Sequence, residues 1–186
     1  ESAPENMRGG NTRHTRNLRA SHAEPLETLE DSYTEDEFWD DILKVTHGNT
    51  DETLTRLMIR QSPLLLSWLK ARDVHFQPAL SGTLSLHRTN AFFLGGGKTL
   101  LNKLYSHAEK IGVSVLYDSE VTSVSISNNR AHSIDVTTAT DTKTYGIKHL
   151  IAASGGFQAN EEWMREAWGK KADNFLIRGT PHNRGT

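Results

Sequence analysis

The sequence predicts a layered α/β domain with a small antiparallel meander inserted between two buried strands. The runs at 113–117 and 149–153 are short and mostly apolar, as in buried strands; the first follows Gly112, and the second leads into Ser154-Gly155-Gly156. Between these runs, alternating apolar and polar residues flank Asn128-Asn129, which is a hairpin turn signal. Helical patterns precede the first run and follow the second, which favours the α/β class.

The first half of the chain is predicted to be helical after a polar, Arg-rich start over residues 1–25. Thr34-Glu35-Asp36-Glu37 is a capping box and predicts a helix through about Val45, ended by Gly48. A second helix is predicted from Asp51, and Pro63 either kinks it or begins a new helix. Its predicted buried face consists of Leu54, Leu57, Met58 and Leu65.

The second half carries the α/β pattern. A helix is predicted over about 98–111, with Gly112 at its carboxyl end. The strand at 113–117 follows, and then the meander, whose strands contain Val121 to Ile126, Ile134 to Val136 and residues 145–148. The strand at 149–153 then runs into Ser154-Gly155-Gly156, and Asn160 caps a last helix through about Trp168.

The composition excludes several classes of function. The chain has 186 residues and a formal net charge of −2, so no overall field attracts nucleic acid. Cysteine is absent, and His75, His87, His107, His132 and His149 show no metal-ligand spacing. No apolar run approaches the roughly 20 residues of a membrane-spanning helix. We expect no metal, no nucleic acid and no transmembrane segment, and a cytoplasmic location or membrane association through a partner.

Glycine-bearing turns are the candidate binding elements. Arg8-Gly9-Gly10-Asn11-Thr12 combines two glycines with small polar side chains, which suits close approach of main chain to an anion or a flat ligand. A plain turn explains the same residues. Gly95-Gly96-Gly97 before a helix offers an anion-binding N-terminus, or only a tight entry into that helix.

Four segments, in this order and at this spacing, resemble the FAD-binding domain of fumarate reductase/succinate dehydrogenase-type flavoproteins. The run Arg-Gly-Gly-Asn-Thr-Arg-His-Thr-Arg-Asn at 8–17 is similar, more specifically, to tricarballylate dehydrogenases and their near relatives, including flavoproteins of cobalamin synthesis. The four segments are ESAP followed by RGGNTRHTRN at 1–17, FLGGGKTL at 93–100, GVSVLYDSEV at 112–121 and IAASGGF at 151–157 with Ala159-Asn160 after it.

The resemblance implies a Rossmann-like FAD-binding domain of the GR2 type over residues 1–30 and 95–186, with residues 31–94 as a helical insertion. The family's G-x-G-x-x-G phosphate turn, its capping domain and its C-terminal segment have no counterpart in the sequence. We therefore expect an internal part of a longer protein. Alone, this part is expected to bind FAD weakly or not at all and to be inactive.

The resemblance also implies roles for particular positions. Glu1 matches the acidic residue for the adenosine ribose, residues 9–12 match the loop beside the pyrophosphate, Val121 offers main chain to the adenine edge, and residues 153–156 match a turn packed on the cofactor. His14 and Arg16 are implied near the flavin and the substrate carboxylates, although plain surface charges explain them equally. The expected FAD-binding residues are Glu1, Arg8, Gly9, Gly10, Asn11, Thr12, Val121, Ala153, Ser154, Gly155 and Gly156.

The implied activity is oxidation or reduction of a CH–CH bond next to a carboxylate, with tricarballylate to cis-aconitate as the specific expectation. The cofactor would be FAD, and the electron acceptor a protein or a quinone-linked partner. No residue of this chain is identified as catalytic. The alternatives are another enzyme of the same superfamily, such as a fumarate reductase, ketosteroid dehydrogenase, urocanate reductase or aspartate oxidase relative, or a catalytically inactive fragment.

Overall fold

The computed structural model describes residues 1–79, 85–176 and 179–185. The chain forms two compact units. The helical unit is Arg13–Ile111, and the sheet unit combines Glu1–Thr12 with Gly112–Thr186. The division predicted from the sequence, residues 1–30 with 95–186 and an insertion at 31–94, stays a prediction.

In its described residues, the helical unit contains three α-helices and a short two-stranded ladder. Its helices are α1 (Glu35–Thr46), α2 (Glu52–Lys70) and α3 (Gly96–Lys110). Strand β1 (Asn17–Arg19) pairs antiparallel with β2 (Asn90–Phe92), so that Leu18 lies opposite Ala91. The helices over 35–46 and 96–110 confirm the two that the capping box and the triple glycine predict.

The capping box at the start of α1 forms as the sequence predicts. Thr34 Oγ1 accepts a hydrogen bond from Glu37 N at 3.2 Å, and Thr34 N donates to Glu37 Oε2 at 3.0 Å. The pKa of Glu37 lies below its usual value because of the Thr34 N–H and the Arg88 guanidinium. Thr46 is the last residue of the helix. His47 follows in the left-handed conformation, and Gly48 N donates to Leu43 O at 3.0 Å.

Helix α2 corrects the predicted buried face and excludes one of the two alternatives for Pro63, the start of a new helix. It buries Ile59, Ser62, Leu66 and Leu69, whereas the predicted face, Leu54, Leu57, Met58 and Leu65, is 41–63% exposed. The buried and the exposed apolar residues both have helical spacing, and packing against the core of the unit determines which set is buried. Pro63 also lies inside one continuous helix, although proline cannot donate to the carbonyl four residues earlier.

The carbonyl that Pro63 leaves without its usual donor belongs to Ile59, and two buried hydroxyls replace the missing N–H. Ser62 Oγ donates to Ile59 O at 2.7 Å, and Ser21 Oγ donates to it at 3.2 Å. Ser21 N in turn donates to Ser62 Oγ at 3.0 Å. The helix continues through proline because side chains satisfy the buried main-chain acceptor.

Two apolar clusters form the core of the helical unit. The larger one combines residues of β2, α2 and α3 with residues of the segments outside them: Ala20, Leu29, Leu66, Leu69, Val74, Phe76, Ala91, Phe93 and Leu100. The smaller one contains Tyr33, Phe38 and Ile59. The Tyr33 hydroxyl donates to Asp41 Oδ2 at 2.8 Å. Burial is the main cause, and this hydrogen bond the second, that raises the pKa of Tyr33 to about 12.

The sheet unit is built on an antiparallel meander, which confirms the inserted hairpin of the prediction. Its strands are β3 (Glu120–Ser127), β4 (Arg130–Thr137) and β5 (Thr142–Gly146), in the order β3-β4-β5. Asn128 and Asn129 form the β3–β4 turn with φ angles of 49° and 60°, as a two-residue hairpin requires. Helix α4 (Glu161–Trp168) follows, capped by Asn160, whose Oδ1 accepts from Trp163 N at 3.2 Å.

The two buried strands predicted at 113–117 and 149–153 do not form. Both segments are irregular, and Val113 and Leu116 are each 50% exposed, while Ile151 is 89% exposed. All strand pairs in the described parts of the chain are antiparallel. A short apolar run forms a strand only when another strand pairs with it, and none of the strand pairings among the described residues includes these runs. No helix in the described ranges has the length and apolar character needed to cross a bilayer.

Candidate cofactor site

Glu1 is held on both its main chain and its side chain. Its Oε1 accepts from Ala3 N at 3.1 Å, and its Oε2 accepts from Gly9 N at 3.1 Å. Its main-chain nitrogen donates to Leu116 O at 3.1 Å, and its carbonyl accepts from Ser119 N at 3.1 Å. The carboxylate is therefore oriented by backbone N–H groups from the loop at 3–9 and lies beside the segment that enters β3.

Arg8 connects the same loop to that segment. Its side chain is 13% exposed, and its Nη1 donates to the Tyr117 hydroxyl and to Glu5 Oε1, the latter at 3.5 Å. The guanidinium carbon also lies 5.7 Å from the centroid of the Tyr117 ring, within the range of a cation–π contact. Arg8 thus belongs to a cluster with Glu1, Gly9 and Tyr117.

The two glycines of the loop leave its main chain open. Gly9 and Gly10 have φ angles of 96° and 53°, a region that residues with a side chain rarely adopt. A Cβ added to Gly10 would meet no atom within 4 Å, so there is open space beside its main chain. Asn11 and Thr12, which follow in a short 3₁₀ turn over Gly10–His14, are both exposed.

The loop also contacts the glycine-bearing segment near the end of the chain. Asn11 Oδ1 accepts from Thr180 N at 3.0 Å. Ala159 N donates to Asn183 O at 2.9 Å, and a Cβ added to Gly155 would lie 2.6 Å from Asn183 Oδ1. Asn11 and Gly155, although far apart in sequence, therefore lie against one segment, residues 179–183.

The turn at 153–156 is shaped partly by packing within the chain itself. Asn183 Nδ2 donates to Gln158 Oε1, and a Cβ added to Gly156 would lie 2.7 Å from that same oxygen. The absence of side chains at Gly155 and Gly156 is thus explained by Asn183 and Gln158. Ala153 and Ser154 are exposed, so the turn still presents a surface to solvent.

Val121 lies at the start of β3, opposite Val136, and is half-buried. It is two residues beyond Ser119, whose N–H donates to Glu1 O. The structure thus brings Glu1, Arg8 and Gly9 close to the chain segment that leads to Val121. These are the positions expected at the nucleotide end of the cofactor.

His14 and Arg16 belong to the helical unit, and both are exposed. Around them, Thr15 O accepts from Gly97 N at 2.8 Å, and Arg16 O accepts from Phe93 N at 2.9 Å. Gly96 N donates to Phe93 O at 3.2 Å. Because carbonyls of the chain accept from the first two N–H groups of α3, the glycines there are better explained by a tight helix entry.

Sequence reasoning missed Tyr117, Thr180 and Asn183. Tyr117 was assigned to a strand, and its partner Arg8 lies 109 residues away, so no local pattern could reveal the contact. Thr180 and Asn183 lie in the run GTPHNRGT at 179–186, which is similar to a run in the same flavoprotein family. That similarity was the available signal, but it did not assign a contact to either residue.

Open main chain at Gly10 and a carboxylate fixed by two N–H groups are features that fit a nucleotide with free ribose hydroxyls. Residues 20–186 match the family model described as FAD binding domain. The chain therefore belongs to this family of FAD-binding domains, within the fumarate reductase/succinate dehydrogenase-type flavoproteins, and FAD is its cofactor.

Individual relatives agree with this assignment. The chain is 26% identical over 127 residues to an NADH:fumarate oxidoreductase of Klebsiella pneumoniae (strain 342), and the match covers 66% of this chain and 14% of that protein. Its fold is similar, with a TM-score of 0.78 and 18% identity, to the open conformation of a flavocytochrome c3 fumarate reductase, over 95% of this chain and 32% of that chain.

A second solved structure has the same degree of similarity in fold. It is the 3-ketosteroid-Δ4-(5α)-dehydrogenase of Rhodococcus jostii RHA1 in complex with 4-androstene-3,17-dione. The TM-score is 0.78 at 16% identity, and the match covers 95% of this chain and 44% of that one. The chain thus spans less than half the length of each of these three relatives.

Proposed function

We propose that this chain forms the FAD-binding part of an oxidoreductase that acts on a CH–CH bond of a carboxylate substrate. The family match supports a FAD-dependent oxidoreductase. The observation that carries the proposal is the clustering of Glu1, Gly9 and Asn11 with main chain from both ends of the sheet unit. A nucleotide-linked flavin needs this combination of an oriented acceptor and open main chain.

The residues that would hold FAD are those of the cluster and of the two turns. Glu1 would accept from the ribose hydroxyls, and the open main chain at Gly10, with Asn11 and Thr12, would supply neutral hydrogen bonds near the diphosphate. Val121 would offer main chain, and the turn at 153–156 would offer a surface free of large side chains. FAD, when bound, supplies the hydride chemistry, and the protein orients it and excludes competing reactions.

For the substrate, we propose a small carboxylate, with tricarballylate and its oxidation to cis-aconitate as the specific assignment. The run at 8–17 supports it, because it is similar to tricarballylate dehydrogenases. His14 and Arg16 are exposed, their main chain is fixed by Phe93 and Gly97, and a guanidinium can bind two carboxylate oxygens at once. An electron acceptor protein or a quinone-linked partner would complete the reaction.

Another activity of the same superfamily is the second candidate. The matched relatives include proteins named for fumarate and for a ketosteroid, and a urocanate reductase has the same kind of chemistry. A steroid site would need an extended apolar surface, whereas a dicarboxylate or tricarboxylate site needs cations. The exposed His14 and Arg16 favour the carboxylate.

The test is a titration of the full-length protein with FAD, followed by assays on tricarballylate, fumarate, urocanate and a 3-ketosteroid. We expect Glu1→Gln to raise the Kd for FAD about tenfold, because a charged acceptor is replaced by a neutral amide. Glu166→Gln is the matched control, since Glu166 is an exposed glutamate of α4 in the same unit.

Wild-type and Glu166→Gln proteins should bind FAD equally and oxidise tricarballylate in preference to the other compounds. A wild-type protein that binds no FAD would contradict the proposed function as a whole. Tight FAD binding with activity only on the ketosteroid would contradict the carboxylate assignment alone.

A further inference from the structure

The contact between Arg8 and Tyr117 joins two segments that are 109 residues apart in sequence. The Arg8 guanidinium donates to the Tyr117 hydroxyl and also lies against the Tyr117 ring, with its central carbon 5.7 Å from the ring centroid. Only 13% of the Arg8 side chain is exposed. A largely buried cation that is held by both a hydroxyl and an aromatic face has a defined position.

This pair lies where three parts of the candidate site meet. Arg8 is adjacent to Gly9, whose N–H donates to the Glu1 carboxylate at 3.1 Å. Tyr117 is adjacent to Leu116, whose carbonyl accepts from the main-chain nitrogen of Glu1 at 3.1 Å. Two residues beyond Tyr117, Ser119 N donates to Glu1 O at 3.1 Å, and β3 begins at the next residue.

Removing the pair would therefore release one defined connection in the site. Without it, the loop that carries Gly9, Gly10 and Asn11 would lose this connection to the segment entering β3, and contacts of the first residues, such as Asp118 N to Ala3 O at 3.3 Å, would remain. The sites of ribose and main-chain contacts would then lose their fixed separation. A small displacement in a binding site is enough to weaken hydrogen bonds that depend on geometry.

We propose that Tyr117 is a positioning residue for the adenosine diphosphate half of FAD, and that it acts by holding Arg8. The inference rests on the proposed function, because it takes Glu1, Gly9 and Val121 to be the nucleotide contacts. The ligand class is an adenosine diphosphate with both ribose hydroxyls free. Its negative charge is opposite in sign to the cation that Tyr117 holds.

The proposal predicts different effects on the binding of the adenosine part and of the flavin part of the cofactor. Measurements of binding, without an activity assay, therefore test it. ADP carries the adenosine and the equivalent of both phosphates of FAD, whereas FMN carries the flavin with one phosphate and lacks the adenosine. In the full-length protein, we expect Tyr117→Leu to raise the Kd for ADP and for FAD about tenfold and to leave the Kd for FMN unchanged. Tyr117→Phe, which keeps the ring and loses the hydroxyl, should raise the Kd for ADP about threefold.

A double-mutant cycle shows whether Tyr117 acts through Arg8. Arg8→Leu should weaken ADP binding at least as much as Tyr117→Leu, and the double variant should be no weaker than Arg8→Leu alone. Tyr145→Leu is the control, because Tyr145 is a tyrosine of β5 in the same unit and is 40% exposed. Its Kd for ADP should equal that of the wild type.

An unchanged Kd for ADP in Tyr117→Leu would overturn the proposal, as would equal weakening of ADP and FMN or additive effects in the cycle. If Tyr117→Leu fails to fold, Tyr117→Phe decides by the same criteria. A wild-type protein that binds neither FAD nor ADP would contradict the proposed function as well. Normal FAD binding that no Tyr117 substitution affects would contradict this inference alone.

Discussion

Gly155 has a φ angle of 78° and faces the side chain of Asn183, whose Oδ1 would lie 2.6 Å from an added Cβ. Real Cβ atoms do not approach other heavy atoms so closely, so a substitution must displace Asn183. Asn183 also donates to Gln158 and accepts from Ala159 N through its carbonyl. The requirement for glycine therefore comes from this contact as well as from the backbone angle.

We expect Gly155→Ala to lower the free energy of unfolding more than Gly48→Ala does, by about 1–3 kcal/mol, which is typical of overpacking. Gly48 is the control, since its φ is also 78° and an added Cβ would meet nothing within 4 Å. Because the two glycines have the same φ, the difference between the variants measures the contact with Asn183. Urea unfolding of each variant gives the two values, and equal losses would show that Asn183 moves aside freely.

At the scale of elements, α2 depends on hydroxyl groups to pass through Pro63. Ser62 Oγ donates to Ile59 O at 2.7 Å and accepts from Ser21 N at 3.0 Å, and all of these groups are buried. We expect Ser62→Ala to lower the free energy of unfolding by about 1–3 kcal/mol, because Ser21 N loses its acceptor and Ile59 O loses a donor. Urea unfolding measures this loss.

Ser67→Ala is the control for that prediction. Ser67 lies in the same helix and donates to Leu64 O at 3.0 Å, but it is exposed, so water can replace its hydroxyl. Its substitution should change the free energy of unfolding by less than about 0.5 kcal/mol. A similar loss for both serines would contradict the special function of Ser62.

The elements also show what the sequence could predict and what it could not. The capping box of α1, the Asn128-Asn129 turn and the Asn160 cap depend on neighbouring residues, and all three form as predicted. The prediction of the buried face of α2 was wrong because both faces carry apolar residues at helical spacing, and only packing distinguishes them. The prediction of strands at 113–117 and 149–153 was wrong because a strand needs a pairing partner, and the local sequence pattern does not reveal one.

The residues of the candidate site likewise fall into those that the sequence could predict and those that it could not. The glycines and Asn11 could be proposed from motif and resemblance, because loops that approach a ligand have a recognisable composition. Arg8 could be proposed, but its contact with Tyr117 could not, since the two residues are distant in sequence and no periodicity relates them. Contacts of this kind come only from the tertiary structure.

At the scale of the whole molecule, apolar side chains are exposed along both irregular segments of the sheet unit. Val113 and Leu116 are each 50% exposed, and Leu150 and Ile151 are 43% and 89% exposed. Adjacent exposed apolar residues, such as Leu150 and Ile151, favour association. We expect the 186-residue chain, when produced by itself, to self-associate at about 100 μM.

Ile151→Lys should shift this association towards the monomer, as measured by size-exclusion chromatography with light scattering. Val45→Lys is the control, because Val45 is a single apolar residue of α1 that is 81% exposed. Its substitution should leave the distribution unchanged. A wild-type chain that is monomeric at this concentration, with one sharp thermal transition, would contradict the prediction.

The hydroxyl pair around Pro63 has a consequence for the order of events during folding. An ordinary helix completes its hydrogen bonds locally, within nanoseconds per residue of elongation. Here, the acceptor at Ile59 draws one of its two donors from Ser21, 38 residues earlier in the chain. The central turn of α2 therefore reaches its final stability only when the segment that carries Ser21 has packed against it. The helix and this long-range contact are thus completed in the same step of folding.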